Sequence, residues 1–190
     1  MRYSGLALVL GGALLAACVA GADLGGPSVR PVLNGDVKIA APAGYCLDGG
    51  ASREWQDAAT LIMGRCSRNP AVKPALLTLS VGQAGSAGVM AAGGEGLAAF
   101  FTSREGLATL SPNGRASEVR VVEALSTKDA FLMRLKEAGA PDYWRAVLGL
   151  RGRLVTLSVK GTADSVLSAD EGRTILDNAV AALRRANRSP

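Results

Sequence analysis

YWRAVLGLRGRLVTLSVK, residues Tyr143 to Lys160, reads as two strands folded back on one another. Trp144, Ala146, Leu148 and Leu150 alternate along the first run, and Val155, Leu157 and Val159 alternate along the second. Successive side chains of a strand point to opposite faces, so these residues form one apolar face. Arg151-Gly152 between the runs has hairpin length, and the glycine supplies a positive φ. Just upstream, Glu118–Ser126 and Ala130–Glu137 flank Thr127-Lys128-Asp129 in the same manner. Val121, Leu125, Phe131, Met133 and Leu135 are expected to share one face of that second hairpin. If both hairpins turn their apolar faces to one core, the opposite face collects Arg120, Arg134, Lys136, Arg145 and Lys160, together with Tyr143. Clustered cations of this kind attract lipid headgroups or an acidic envelope polymer. A solvated face partly neutralised by Glu118 is the plainer alternative.

Downstream, Ser168-Ala169-Asp170-Glu171 has the form of a capping box, serine accepting from the third helical N–H and glutamate reaching back. Ile175, Leu176, Ala179, Val180 and Leu183 then make an apolar stripe up to Asn187, with acids at the start and Arg184, Arg185 and Arg188 at the end, matching the helix dipole. Upstream, Val37–Ala41, Tyr45–Asp48 and Ala75–Val81 read as strands. Ala58–Cys66 fits strand or helix, and the flanking Gly64 and Asn69-Pro70 favour strand. Gly82 to Gly96 is read as a mobile glycine-rich loop, Glu95–Ser103 as a short helix and Ser111–Gly114 as a turn. The expected fold is α+β: a mainly antiparallel, hairpin-built sheet packed by a C-terminal amphipathic helix, with an α/β/α sandwich as a variant. Residues 36–187 form the expected single domain and 188–190 a tail.

The N-terminus carries one charge, Arg2, and then the uncharged run Leu6–Ala17. Twelve residues are too few to cross a bilayer, which takes about 20, and suit a signal peptide over residues 1–17. Leu15-Ala16-Ala17-Cys18 resembles the bacterial lipobox. That resemblance implies a diacylglyceryl thioether on Cys18, further acylation such as palmitate on its amine, and a membrane anchor in the cell envelope. Val19 is not the aspartate that marks inner-membrane retention, which favours the periplasmic face of the outer membrane. Cleavage after Ala20-Gly21-Ala22 is the alternative and would release a soluble periplasmic protein. Residues 18–35, rich in Gly and Pro, are read as a flexible tether.

The chain of 190 residues contains no histidine, which removes the usual general base near neutral pH and every Ser-His or Cys-His nucleophile pair. Beyond Cys18 the remaining thiols are Cys46 and Cys66, for which a disulfide is the default in an oxidising compartment. Two cysteines without histidine make a poor metal site, and no cofactor is expected. Gly94–Ala99 matches G-x-G-x-x-A, but lacks a strand immediately before it. Ala84–Gly88 resembles a nucleophile elbow without a base to serve it. Asp48, Glu54 and Asp57 cluster in sequence, though nothing in their spacing sets a glycosidase geometry. After removal of Arg2 with the signal, 20 basic residues face 16 acidic ones, a mild net +4. With 4% aromatics this lacks the signature of a nucleic-acid binder.

Gly44-Tyr45-Cys46, followed by Met63-Gly64-Arg65-Cys66 and a late hairpin ending in Val159-Lys160-Gly161, resembles small uncharacterised envelope lipoproteins of alphaproteobacteria. The order of hairpins and final helix is loosely similar to PsbP-like sandwiches, a likeness of fold that carries no activity. Two functions are therefore carried forward. One is a non-enzymatic envelope lipoprotein with a binding or assembly role, its partner an envelope protein or an anionic lipid or polymer. The other is a histidine-free, carboxylate-based hydrolase of the periplasm.

Overall fold

The computed structural model describes residues 29–66 and 71–188. The signal peptide, Cys18 and the first part of the expected tether lie outside the described residues. Strands β1 (Val29–Val32) and β2 (Val37–Ala40) form a hairpin of their own. Strands β3 (Tyr45–Glu54), β4 (Ala59–Arg65) and β5 (Ala75–Ala84) lead to a 3-10 helix over Ser86–Ala92 and to helices α1 (Gly93–Thr102) and α2 (Arg104–Leu110). Strands β6 (Val119–Ser126), β7 (Phe131–Glu137), β8 (Tyr143–Leu150) and β9 (Arg153–Gly161) follow, and α3 (Ala169–Ala186) is the last element among the described residues. The main sheet has seven strands in the order β3-β4-β5-β9-β8-β7-β6, every neighbour antiparallel. The fold is α+β, as expected.

Both predicted hairpins form. Leu150 pairs with Arg153 across the tight turn Arg151-Gly152, where both residues have positive φ (52° and 76°). The faces differ from expectation. The β7–β8 register sets Arg134 opposite Trp144, and Met133 opposite Arg145. Paired residues share a face, so the apolar sets of the two hairpins lie on opposite sides of the sheet. A bulge between Val121 and Glu123 then carries Leu125 across to pair with Leu132; Val121 stays with Leu135.

Each face consequently has its own core. On one, Trp144, Ala146, Leu148, Leu157 and Val159 pack with Leu61, Leu77 and Leu79 beneath Leu176, Ala179, Val180 and Leu183 of α3. On the other, Phe131, Met133, Leu135, Tyr143 and Val147 pack beneath Leu97 of α1 and Leu110 of α2. The middle of the sheet is therefore sandwiched by helices. The α3 capping box is complete, Glu171 N donating to Ser168 Oγ and Ser168 N donating to Glu171 Oε2.

Two other expectations are corrected. The tether does not extend to residue 35: Val29–Val32 is a strand, and Val32 and Leu33 are 1% and 2% exposed in the core below α3. Only four residues long and followed by Leu33-Asn34-Gly35, this strand is too short to show a period. Gly82–Gly96 is not a loop throughout, because the 3-10 helix and the start of α1 occupy most of it. Ser86 pins that helix to the sheet, its Oγ donating to Gln83 O at 2.6 Å and accepting from Leu154 N at 2.8 Å. Helix α2, which the sequence reading left out, starts at Ser103, whose side chain accepts from Gly106 N. A side chain at Gly106 would collide with the carbonyl of Phe100, so the sharp α1–α2 junction requires glycine there.

Two devices tie the hairpins together. Cys46 and Cys66 form a disulfide with Cα atoms 4.9 Å apart, closing the edge strand β3 onto the end of β4. At the opposite end of the sheet the buried Arg153 side chain donates to Asp57 Oδ1 (2.6 Å), Asp57 O (3.1 Å), Gly82 O (3.1 Å) and Asp36 Oδ2 (3.1 Å). One guanidinium thus joins the β1–β2 turn, the β3–β4 turn and β5.

Replacing both cysteines by serine is expected to lower the unfolding free energy by about 3 kcal/mol, the loop-closure value for a loop of this size. Chemical denaturation with and without reductant measures it. Wild type under reductant and the double variant should coincide. Arg153→Met keeps the aliphatic stem but strips the carbonyls of Gly82 and Asp57 of their donor. A melting temperature several degrees below wild type is expected by calorimetry.

Candidate functional site

The five cations expected on one face are divided by the β7–β8 register. Arg120, Arg134 and Lys136 lie on the α3 side, since Arg120 pairs with Lys136 and Arg134 with Trp144. Arg145 and Lys160 lie on the other side with Tyr143, as Arg145 pairs with Ser158. The single patch is not formed. The cause is that β7 and β8 are buried on both faces, so an apolar residue in them does not identify the core side.

Three of the five still converge, at the end of the sheet rather than on a face. There the turn from β7 to β8 and the connection from β9 to α3 stand apart and leave two adjoining cavities, of about 330 and 360 Å³. Pro141, Asp142, Tyr143 and Val166 line both. Arg134 and Lys136 enter the first from the α3 side, and Lys160 enters the second from the other. Val166, 68% exposed and the most exposed large apolar side chain among the described residues, stands between them. Trp144 and Leu167 add apolar wall to the first cavity.

The charges here are arranged in two groups. Asp142 sits between Arg134 Nη1 (3.3 Å) and Lys136 Nζ (3.3 Å), and Glu123 lies 3.4 Å from Arg134 Nε. On the far face Lys160 Nζ donates to both oxygens of Glu137 at 3.1 and 3.0 Å and lies 4.0 Å from the centre of the Tyr143 ring. Tyr143 OH donates to Glu137 Oε1 at 2.7 Å, and Arg145 Nε donates to Ser158 Oγ at 2.9 Å. Burial pushes the Tyr143 hydroxyl well above the ordinary phenol range; the charge of Arg145 opposes this and Glu137 reinforces it. Tyr143 is therefore a hydrogen-bond donor at neutral pH and not a phenolate. Burial alone would raise the Glu137 carboxyl, but hydrogen bonds from Tyr143 and Lys160 and the charges of Lys160 and Arg145 outweigh it and hold it below the usual range.

The other sequence candidates have structural partners. Asp48 Oδ1 accepts from Gly50 N and Ala51 N within a turn of β3. Glu54 Oε1 accepts from Leu33 N at 2.6 Å and holds the β1–β2 hairpin. Asp57 belongs to Arg153, whose hydrogen bond holds its carboxyl below the ordinary range. Gly94–Ala99 is entered from the 3-10 helix and not from a strand, and the sheet it serves is antiparallel. Ser86 is consumed in pinning the 3-10 helix.

Sequence reasoning put Tyr143, Arg145 and Lys160 on one face, as found, but missed Arg153 and Glu137. A signal for the first was present: Arg153 stands two residues before Val155, at the inward phase of its strand. Asp142 gave none, because a turn acid is ordinary until the register brings two cations to it. The chain matches no known protein-family model, no curated protein and no solved structure.

A carboxyl with a depressed folded pKa contributes stability that is present above the unfolded value near 4.3 and is lost as pH falls through the folded one. Glu137→Gln removes that contribution. The variant is expected to be less stable than wild type at pH 7 and to lose less stability on acidification from about pH 5 to pH 2, as followed by urea denaturation across pH.

Proposed function

We propose that this chain is an envelope lipoprotein, anchored through Cys18, whose folded domain binds an anionic partner without catalysing a reaction on it. The observation that carries the binding half is the cleft at the sheet end. It offers apolar walls from Trp144, Val166 and Leu167 beside the cations of Arg134, Lys136 and Lys160. A concave, mostly apolar site with a few convergent charges is the usual form of a binding pocket. The anchor half rests on the signal-like run and on Leu15–Cys18. The hydrolase reading draws less support, because Asp48, Glu54 and Asp57 each serve a hydrogen bond of the fold.

Two measurements test the halves separately. Intact mass of protein extracted from membranes should give a chain beginning at Cys18 with added acyl mass; an unmodified chain beginning at Asp23 would overturn the anchor. A photo-crosslinking residue at Val166 should capture an anionic envelope component in intact cells, and capture should fall severalfold when Lys136→Glu and Lys160→Glu are added. The same crosslinker at Trp55, beside the turn at the opposite end of the sheet, is the control. Equal capture from both positions, or no effect of the charge reversals, would remove the cleft as the binding site.

A further inference from the structure

Arg134 is the cation of the cleft with a buried donor left unbonded. Its Nε is buried and makes no hydrogen bond, with Glu123 Oε2 at 3.4 Å as an ion-pair neighbour. Its Nη1 and the Lys136 ammonium share a single carboxylate, Asp142, each at 3.3 Å. Charge-assisted hydrogen bonds settle at about 2.7–2.9 Å when the partners fit. A guanidinium fork also matches two oxygens of one planar or tetrahedral anion, which Asp142 does not offer it here. Next to Lys136 on the same face but outside the cavity lining, the exposed Arg120 side chain has no hydrogen bond or ion pair among the described residues. Two cations thus face a cavity of about 330 Å³ together with Asp142, and Trp144, Val159, Val166 and Leu167 supply its apolar wall.

We propose that this cavity binds a phosphate monoester carrying a short apolar chain, and that Asp142 holds the anion's place until the ester displaces it. The phosphate takes the position between Arg134 and Lys136, and the apolar chain lies against Trp144. A doubly charged head suits the two cations better than a single carboxylate does; a phosphate monoester carries about −1.5 to −2 charges at neutral pH. On release, the Asp142 turn returns its carboxylate to the two cations. This deepens the reading of the cleft as a binding site and does not depend on the anchor.

Trp144 is the natural reporter, because it lines the cavity and the only other tryptophan, Trp55, lies at the far end of the sheet. The full chain carrying Trp55→Phe is mixed with phosphatidylcholine vesicles and titrated with butyl phosphate while Trp144 emission is recorded. A saturable change is expected, with inorganic phosphate binding at least tenfold more weakly and butanol giving no response. Arg134→Gln should weaken butyl phosphate at least tenfold. Asp142→Asn, which removes the internal competitor, should tighten it severalfold. That gain separates ligand binding from a purely structural network, and circular dichroism checks that each variant is folded. Lys136→Gln replaces Arg134→Gln if the latter does not fold.

A second arm adds phosphatidic acid to the vesicles. A Trp144 response there as well assigns a lipid headgroup, and a response to butyl phosphate alone assigns a soluble ester. No saturable response to either, equal affinity for inorganic and butyl phosphate, or unchanged or weaker binding in Asp142→Asn overturns the proposal. If Val166 still captures a partner in cells while Trp144 stays silent, the ester fails and the cleft as a binding site stands.

Discussion

Tyr143–Leu150 and Arg153–Gly161 run through the middle of the sheet with both faces covered, and this double burial limits where every other element can go. On one face the pair supports α3 and the β1–β2 hairpin. On the other, Tyr143 and Val147 of β8 need α1 and α2 above them. A hairpin buried on one face only would leave α1 and α2 without a floor. The connection from β5 to the far-edge strand β6 crosses this second face, and it is the segment that carries α1 and α2.

Polar side chains do the joining where apolar packing stops. Arg153 gathers three chain segments at one end of the sheet through four hydrogen bonds. At the other end Glu137 gathers Tyr143 and Lys160 across the β7, β8 and β9 ends. Arg184 closes the C-terminal turn of α3 onto the carbonyls of Gly149 and Asp129. These contacts fix the relative positions of turns, which is why the carboxylates that looked available in the sequence prove to be engaged. The α3 side of the cleft is the exception, since Arg134 and Lys136 share Asp142 at 3.3 Å and the rim at Val166 is apolar and exposed.

Legibility followed burial. The strand β5 keeps one face toward the α3 core and leaves Leu76, Thr78 and Ser80 on the open side, so its alternation was readable and its limits were nearly right. The β8–β9 and β6–β7 hairpins were found from their turns, and α3 from its capping box, because those signals are local. The face of β7 was misjudged because Leu132 and Met133 are both buried, on opposite sides. Period two carries no information about direction in such a strand, and the bulge before Glu123 added a second inversion.

By itself the sequence determined the class of fold, the two late hairpins, the capped final helix and the pairing of Cys46 with Cys66. Each follows from residues close along the chain or from the scarcity of thiols. Only the tertiary structure decided which cations meet. Arg134, Lys136 and Asp142 come together because the β7–β8 register and the turn at Pro141 place them there. Register is a property of paired strands, set by which faces must be buried, and no single strand contains it.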